Sequence, residues 1–367
     1  MPPTTTTTAP APTTAAAPPV DEEALMAFVG EAVTDVGRLL GGSMVVLGDR
    51  LGLYRALADA GPQTPAELAD RTGTVERYVR EWLSAQAATG YVTYEGDDRF
   101  SLPPEHTVVL TDEHSPACVI GAFETALAAV RSTDRLTEAF RTGDGVGWGE
   151  HHHDLYEGCE RFFRPGYEAN LMSTWIPALA GVEERLRDGA TVADVGCGHG
   201  ASTVLMADAY PASTFVGFDA HPESIAAART RATEAGVSDR TTFEVRTAQE
   251  VTGAFDLACC FDCLHDMGDP VGALRALRGA IAPGGTVMLV EPMAGDRIED
   301  NLNPVGAAYY GFSTLLCTPS SLSQDVGAAL GAQAGEARLS RVAAEAGFTS
   351  VRRVAETPFN IVLELTT

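Results

Sequence analysis

The sequence predicts an α/β protein. Its C-terminal half reads as a doubly wound, mostly parallel sheet that closes on an antiparallel strand, and a mostly helical domain precedes it. Three observations carry that prediction. Thr191–Val195 is a short β-branched run that reads as a buried strand, and it passes through Gly196, Gly198 and Gly200 into a helix opening at Ser202. A second strand, Ser213–Phe218, ends in Asp219, about one βαβ unit further on. Downstream lie a strand candidate at Phe255–Asp262, a Pro283-Gly284-Gly285 turn into Thr286–Glu291, and a closing hairpin of Ser350–Ala355 with Phe359–Leu365.

The first two observations also point to a ligand. Alternate glycines after a strand bring bare backbone against a bound molecule, because no Cβ stands in the way. Asp219, at the tip of the second strand, is placed to accept hydrogen bonds from the ribose hydroxyls of an adenosine. Gly196-Cys197-Gly198-His199-Gly200-Ala201 satisfies the dinucleotide fingerprint as well, so a nicotinamide enzyme has to be weighed. Asp194 tips the balance: two residues before the first glycine it would repel a pyrophosphate, and it suits a ligand bearing an ammonium group.

The order of these motifs resembles the class I S-adenosylmethionine-dependent methyltransferases over about residues 185–367. The resemblance implies a Rossmann-like sheet, S-adenosylmethionine as cofactor and S-adenosylhomocysteine as product. It places the cofactor at Asp194, Gly196, Cys197, Gly198, Gly200, Asp219 and Ala220. The end of strand three, Val245–Gln249, departs from the family's Gly-Asp-Ala. Thr247 stands where an acid would bind the adenine amino group, Ala248 follows, and Gln249 offers a substitute acceptor. Phe261 and Asp262 end strand four beside the methyl group, and Tyr167 is expected to fold over the methionine end.

His265 and Asp266, just past strand four, are the candidates for chemistry. Methyl transfer from a sulfonium is an in-line displacement, so the enzyme mostly supplies alignment and a dry site. A hydroxyl or an enolisable carbon also needs its proton removed, and histidine is the natural base; a carboxylate acceptor needs none. Cys259, Cys260 and Cys263 read as buried structural thiols, alternation sending the first two to opposite faces of a strand.

Composition narrows the class. The 367 residues carry a net charge of −25 and no lysine, which argues against nucleic acid as a partner. No apolar run approaches the ~18 residues needed to span a bilayer. Seven cysteines, an odd number, without a secretory leader make a reducing cytoplasm the expected compartment. Residues 1–20, rich in Thr, Ala and Pro, read as a disordered tail.

Order begins at Asp21. Residues 21–40 read as one amphipathic helix and 44–58 as a second. Thr64, Pro65 and Glu67 form a capping box with Pro at the first helical position. A helix at Val75–Thr89 and a hairpin from Tyr91 through Phe100 complete a winged helix over 21–110. That span holds 7 Arg against 15 Asp plus Glu, so dimerisation is expected of it rather than DNA binding.

Residues 111–180 read as helical linker and cap helices. His151, His152 and His153 are adjacent, and adjacent residues on a helix cannot face one metal. A solvated stretch is expected there, with His153 the candidate for the acceptor wall; no residue is assigned as a metal ligand, and whether the reaction needs a metal stays open. Phe162 is expected to wall the acceptor. The methyltransferase-like domain spans 181–367, with an insertion at 292–334 whose Tyr309, Tyr310, Phe312 and Leu315 suggest a cap with an apolar pocket face.

From Asp21 onward the chain resembles actinobacterial small-molecule methyltransferases that combine a winged helix, a His-Asp pair and this cap. That implies a homodimeric cytoplasmic enzyme of secondary metabolism with O-methylation favoured. C-methylation of an α-keto acid and methylation of a modified peptide stay open. A winged-helix regulator that senses S-adenosylmethionine is the rival of a different class.

Overall fold

The computed structural model describes residues 19–367. The expected tail therefore lies outside the described residues, except for its last two positions.

The first element of the described residues is a helix, Glu22–Arg50, capped by the Asp21 carboxylate, which accepts from the Glu23 and Ala24 N–H groups. The break expected between residues 40 and 44 does not occur. Glycine weakens an exposed helix by ~1 kcal/mol relative to alanine, but Gly41 and Gly42 are buried, where a Cβ would make ordinary contact with Thr89 and Phe123, and Gly48 further along serves close packing. A Cβ on Gly48 would lie 2.5 Å from the Trp82 ring and 2.6 Å from that of Tyr54. The chain turns instead at Gly52, in the left-handed region at φ 67°.

Helices Leu53–Ala60, Pro65–Thr72 and Glu76–Ala88 follow, the second opening on the expected capping box at Thr64 and Glu67. Strands β1 (Thr93–Gly96) and β2 (Arg99–Ser101) then pair antiparallel. This unit has its own core of Val45, Leu57, Leu68, Trp82, Leu83 and Phe100.

Helices Ile120–Val130 and Asp154–Asn170 join it to the sheet, crossing where Gly121 meets Gly158. A Cβ on Gly121 would lie 2.5 Å from the Arg161 carbonyl carbon, so the two backbones touch. Arg161 locks the crossing by donating to Asp49 of the first helix (3.0 Å), Glu124 (2.8 Å) and Glu113 (2.8 Å).

The main sheet has seven strands: β3 (Thr191–Val195), β4 (Thr214–Asp219), β5 (Thr241–Val245), β6 (Phe255–Phe261), β7 (Ile281–Pro292), β8 (Ser350–Glu356) and β9 (Asn360–Thr366). Their order is β5-β4-β3-β6-β7-β9-β8, with β9 antiparallel to both neighbours. The order reverses between β3 and β6, and such a switch point leaves a crevice at the carboxyl ends of the strands. Both faces are covered. Val192, Phe215, Leu257 and Cys259 pack on one side, and Val195, Phe218, Ala258 and Cys260 on the other. The two adjacent cysteines thus sit on opposite faces.

The insertion after β7 folds as helix Pro304–Phe312, a wide π-helical turn at Ser313–Cys317, and helix Thr318–Leu322.

Candidate active site

The carboxyl ends of β3, β4, β5 and β6, the helix Asp154–Asn170 and the cap enclose a cavity of about 690 Å³. The glycine loop forms its floor. Gly196 and Cys197 N–H groups both donate to the Phe218 carbonyl, at 2.8 and 3.0 Å, which ties the loop to β4. Gly196 has φ 74°, and a Cβ there would meet the Cys263 sulfur at 2.6 Å. Gly198 has open space around it, and Gly200, at φ 75°, packs against Ala228 and Phe243.

Asp219 joins two loops: Gly198 N–H donates to its Oδ2 (2.9 Å) and His221 N–H to its Oδ1 (2.8 Å). Burial pushes its carboxyl above the usual range against those bonds. Asp194 is placed otherwise than expected. It lies one layer behind the wall, where Oδ2 accepts from Ser202 and Thr203, both at 2.6 Å, and Oδ1 has no partner. Its role is to fix the start of helix Ala201–Ala209. Burial, offset by the two hydroxyls, pushes it up to about 6.

On the opposite wall Thr247, Ala248 and Gln249 line the cavity with Arg246. The Thr247 hydroxyl donates to Glu250 (3.0 Å), and Gln249 donates to the Asp269 carbonyl (3.2 Å). Phe261, Tyr167 and Phe163 supply aromatic wall, Tyr167 tilting against Phe261 at 5.2 Å. The Tyr167 hydroxyl donates to Asp262 Oδ2 (3.3 Å), and Asn360 donates to Oδ1 (2.7 Å). Asp262 is held at φ 49°, a left-handed position unusual for a residue with a side chain. Burial, with Glu291 nearby, pushes its carboxyl well up.

His265 is buried on the same wall. Its Nδ1 lies 2.7 Å from Glu291 Oε2, and Leu264 N–H donates to Glu291 Oε1 at 3.0 Å. Its Nε2 lies 3.3 Å from Asp266 Oδ1. Burial works to lower the imidazole, but Asp266 and Glu291 outweigh it and hold the ring well above its ordinary value. The sequence pattern does not mark Glu291 for this role. Its one signal there is an acid ending an otherwise apolar strand.

The end of the cavity toward the cap is apolar and aromatic: Trp148, Tyr156, Phe162, Tyr309, Phe312 and Leu316, with Cys159 and Cys317. Phe162, Tyr309 and Phe312 are on the wall as expected. Tyr310 is not, being a helical step away from Tyr309. Leu315 is also off the wall, because the wide turn at Ser313–Cys317 rotates the face and brings Leu316 and Cys317 inward. His153 is a further correction. It is outside the cavity and exposed, with Nε2 2.9 Å from Asp154 Oδ1. Cys317, His265 and Asp266 offer ligating atoms within 4.8 Å of one another. Two of those three groups are already engaged, His265 with Glu291 through Nδ1 and with Asp266 through Nε2. The group His152, His153 and Asp154 is equally close, but Arg50 and Arg131 both pair with Asp154 and would repel a cation.

Residues 186–342 match the profile of a family described as "Methyltransferase domain", and residues 41–112 match that of an "Rv2258c-like winged HTH domain". The chain is a winged helix joined to a methyltransferase domain. It is similar to a mitomycin biosynthesis 6-O-methyltransferase of Streptomyces lavendulae, 26% identical over 66% of this chain and 71% of that one. A ubiquinone biosynthesis O-methyltransferase of Pseudomonas paraeruginosa is 34% identical over 35% of this chain and 54% of its own length. The chain thus spans about half of that curated relative. The solved structure of human N-acetylserotonin methyltransferase in complex with SAM shares the fold. Its TM-score is 0.68, at 17% identity over 92% of this chain and 97% of that one. Within the methyltransferase domain, the cavity joins the glycine loop to the His265 wall, so one chamber holds both candidate sites.

Proposed function

We propose that this protein transfers a methyl group from S-adenosylmethionine to a hydroxyl of an uncharged, aromatic small molecule, with His265 as general base. The observation that carries the reading is His265 itself: an imidazole on the cavity wall, braced through Nδ1 by Glu291, in the chamber that the glycine loop floors.

The residues fit the cofactor. The loop Gly196–Gly200 leaves bare backbone for the methionine end, and Asp219 keeps lone pairs free for ribose hydroxyls. The Thr247–Gln249 turn faces the adenine position, and the buried Asp262 suits a cationic sulfonium neighbour. S-adenosylmethionine supplies a methyl group already activated on that sulfonium. What the chain must add is a dry site, alignment of the acceptor, and a place for the hydroxyl proton. Glu291 fixes the ring through Nδ1, which leaves Nε2, 3.3 Å from Asp266 Oδ1, as the nitrogen to take the hydroxyl proton, and the two carboxylates stabilise the imidazolium that proton uptake creates.

The uncharged acceptor follows from the charges at that end. Asp262, Asp266 and Glu160 line the cavity, and among the described residues the one arginine on its wall is Arg246, paired with Glu244 at 2.8 Å. Arg161 and Arg164, on the nearby helix, are taken up by Glu113, Glu124, Asp49, Glu160 and Glu168. A carboxylate brought into this chamber would lose its water and meet no free cation. That weighs against α-keto acids and carboxylate acceptors.

A DNA-binding regulator is not supported. Arg80 is held by Glu76 and Asp98, and Arg77 by Glu81, so the helix that would read DNA offers no free charge. The better use of the N-terminal unit is to pair two copies. The helix Glu22–Arg50 exposes eight large apolar side chains between Leu25 and Leu40, and so extended an open apolar patch marks an interface. Among the described residues no helix is long and apolar enough to cross a membrane. The seven free cysteines accord with a reducing compartment.

The test is transfer of label from methyl-labelled S-adenosylmethionine into a small-molecule extract of the native host, by wild type and by His265→Ala. A labelled neutral product made by the wild type alone is expected. A product made at the same rate by the variant would remove His265 from the chemistry.

A further inference from the structure

The turn that carries His265 is held from two sides, and the second side is the cap. Four consecutive bonds run between cap and turn. Gln324 Nε2 donates to the Asp266 carbonyl (3.0 Å), and Gly268 N–H donates to Gln324 Oε1 (2.9 Å). Ser321 Oγ donates to the Met267 carbonyl (2.8 Å), and Ala328 N–H donates to that of Gly268 (2.8 Å). The outward-facing carbonyls of residues 266, 267 and 268 are thus all satisfied by one segment.

That segment is shaped for the task. Val326, Gly327 and Ala329 all have positive φ, 76°, 60° and 46°, and this doubles the chain back so that Ala328 reaches Gly268. A β-branched residue in the left-handed region is a steric outlier, and such strain persists only where surrounding contacts over-determine it. Ser321, fully buried, accepts from Ala329 N–H at 3.0 Å and so fixes the doubled-back chain to the helix Thr318–Leu322. The fit is close: a Cβ on Gly268 would lie 2.5 Å from that of Gln324. On its far flank the same helix is anchored by Val146 N–H, which donates to Pro319 (3.0 Å). Gln324, Ser320 and Ser323 are at the same time part of the cavity wall.

We propose that Ser321–Ala329 is a positioning clamp for the His265 turn, with Gln324 as its central residue, so that an acceptor seated against the cap also seats the imidazole. The proposal rests on the reading of His265 as the base. It makes Gln324 a positioning residue, acting through His265 and not on the methyl group. A histidine turn tied only to the sheet would be aligned by Glu291 alone. Here alignment also depends on the element that covers the acceptor, which couples closure to chemistry.

The test uses full-length protein with S-adenosylhomocysteine bound and needs no identified acceptor. The His265 Nδ1–H proton, hydrogen-bonded to Glu291, is followed by NMR and assigned by its absence in His265→Ala. In Gln324→Ala that resonance is expected to shift and broaden, while affinity for S-adenosylhomocysteine stays within about twofold of wild type. Gln324→Glu keeps an acceptor for Gly268 N–H and loses the donor to Asp266, so an intermediate shift is expected. A His265 resonance unmoved in both variants would overturn the clamp. If Gln324→Ala fails to fold, shown by lost S-adenosylhomocysteine binding, Gln324→Glu decides on the same readings. Failure of the base reading looks different: His265→Ala would still transfer labelled methyl at the wild-type rate, whatever the resonance does.

Discussion

Glu291 holds His265 through both ring and backbone. One carboxylate oxygen lies 2.7 Å from Nδ1, and the other accepts the N–H of Leu264 at 3.0 Å. The first prediction concerns this pair. Removing a general base costs ~10²–10⁴-fold in rate, so His265→Ala is expected to lose that much kcat with unchanged affinity for S-adenosylhomocysteine. Glu291→Gln is expected to lose less in rate and to change the pH profile. The wild-type ring, held up by Asp266 and Glu291, must shed its proton before it can act as base. Activity should therefore rise with pH, with a midpoint above histidine's ordinary ~6.5. Glu291→Gln removes one carboxylate that favours the imidazolium, so its midpoint should move to lower pH. A midpoint unchanged in Glu291→Gln would detach the pair from the chemistry.

Asp194 gives a second prediction, on stability. Burial is the chief cause that raises its folded carboxyl from the ordinary 3.8 to about 6. Between those values the folded chain binds a proton that the unfolded chain does not, so stability falls as pH rises through that window. Above it the ionised carboxylate costs up to ~3 kcal/mol, since each tenfold change in proton affinity is worth ~1.4 kcal/mol. Asp194→Asn cannot ionise. Urea unfolding of both proteins should show the variant's stability, relative to wild type, rising from about pH 4 to about pH 6 and flat beyond. A difference independent of pH would show that Asp194 keeps an ordinary carboxyl in the fold.

The residues legible in the sequence are those whose job is local. The strand–glycine–helix run at Thr191–Ala201, the capping box at Thr64, and the opposite facing of Cys259 and Cys260 follow from backbone sterics and two-residue alternation. Phe162, Tyr309 and Phe312 are legible as an apolar face. What stays hidden depends on contacts across the chain. Glu291 becomes a partner of His265 only when β6 and β7 pair in register. The wide turn at Ser313–Cys317 slips the cap's face by about one residue and exchanges Leu315 for Leu316 and Cys317. Asp194 is expected from its position to meet the ligand, yet it stands behind the loop, because Ser202 and Thr203 of the next helix claim its Oδ2. The long first helix runs through Gly41 and Gly42, where propensity alone suggests a break.

The glycine loop supports a third prediction. Gly196→Ala forces a side chain onto a backbone at φ 74° and into the Cys263 sulfur 2.6 Å away. Strain of this kind costs ~1–3 kcal/mol, and relieving it moves the loop away from the cavity. The variant is expected to bind S-adenosylhomocysteine at least ~tenfold more weakly in calorimetry, with a lowered melting temperature. Gly198→Ala, where space is open, should bind better than Gly196→Ala even though its φ is also positive, at 51°. The reverse ranking would mean that backbone angle, and not the contact with Cys263, limits the site.

The charges of the acceptor end support a fourth. With Asp262 and Asp266 on the wall, a neutral naphthol should bind the S-adenosylhomocysteine complex better than its carboxylated analogue. Leaving a desolvated carboxylate without a partner costs several kcal/mol after relaxation, so the analogue should bind at least ~10²-fold more weakly. Competition against labelled methyl transfer would measure both. Equal binding would remove the acidic wall as a determinant of the acceptor's charge.

The fifth prediction concerns the first helix. From Glu22 to Leu40 it extends ~28 Å at ~1.5 Å per residue. Leu25, Val29, Val33, Val36 and Leu40 recur along one face at spacings of three and four, and all five are exposed. Two such helices brought together about a two-fold axis would bury the same stripe on both copies, the self-complementary arrangement of a symmetric dimer. A charge at the middle of the stripe would be buried without a partner, so Val29→Asp combined with Val33→Asp is expected to shift the protein from dimer to monomer in sedimentation. The exposed position of the stripe means that the fold itself should survive, with an unchanged far-UV spectrum. A dimer of wild-type strength in the double variant would move the interface elsewhere on the molecule.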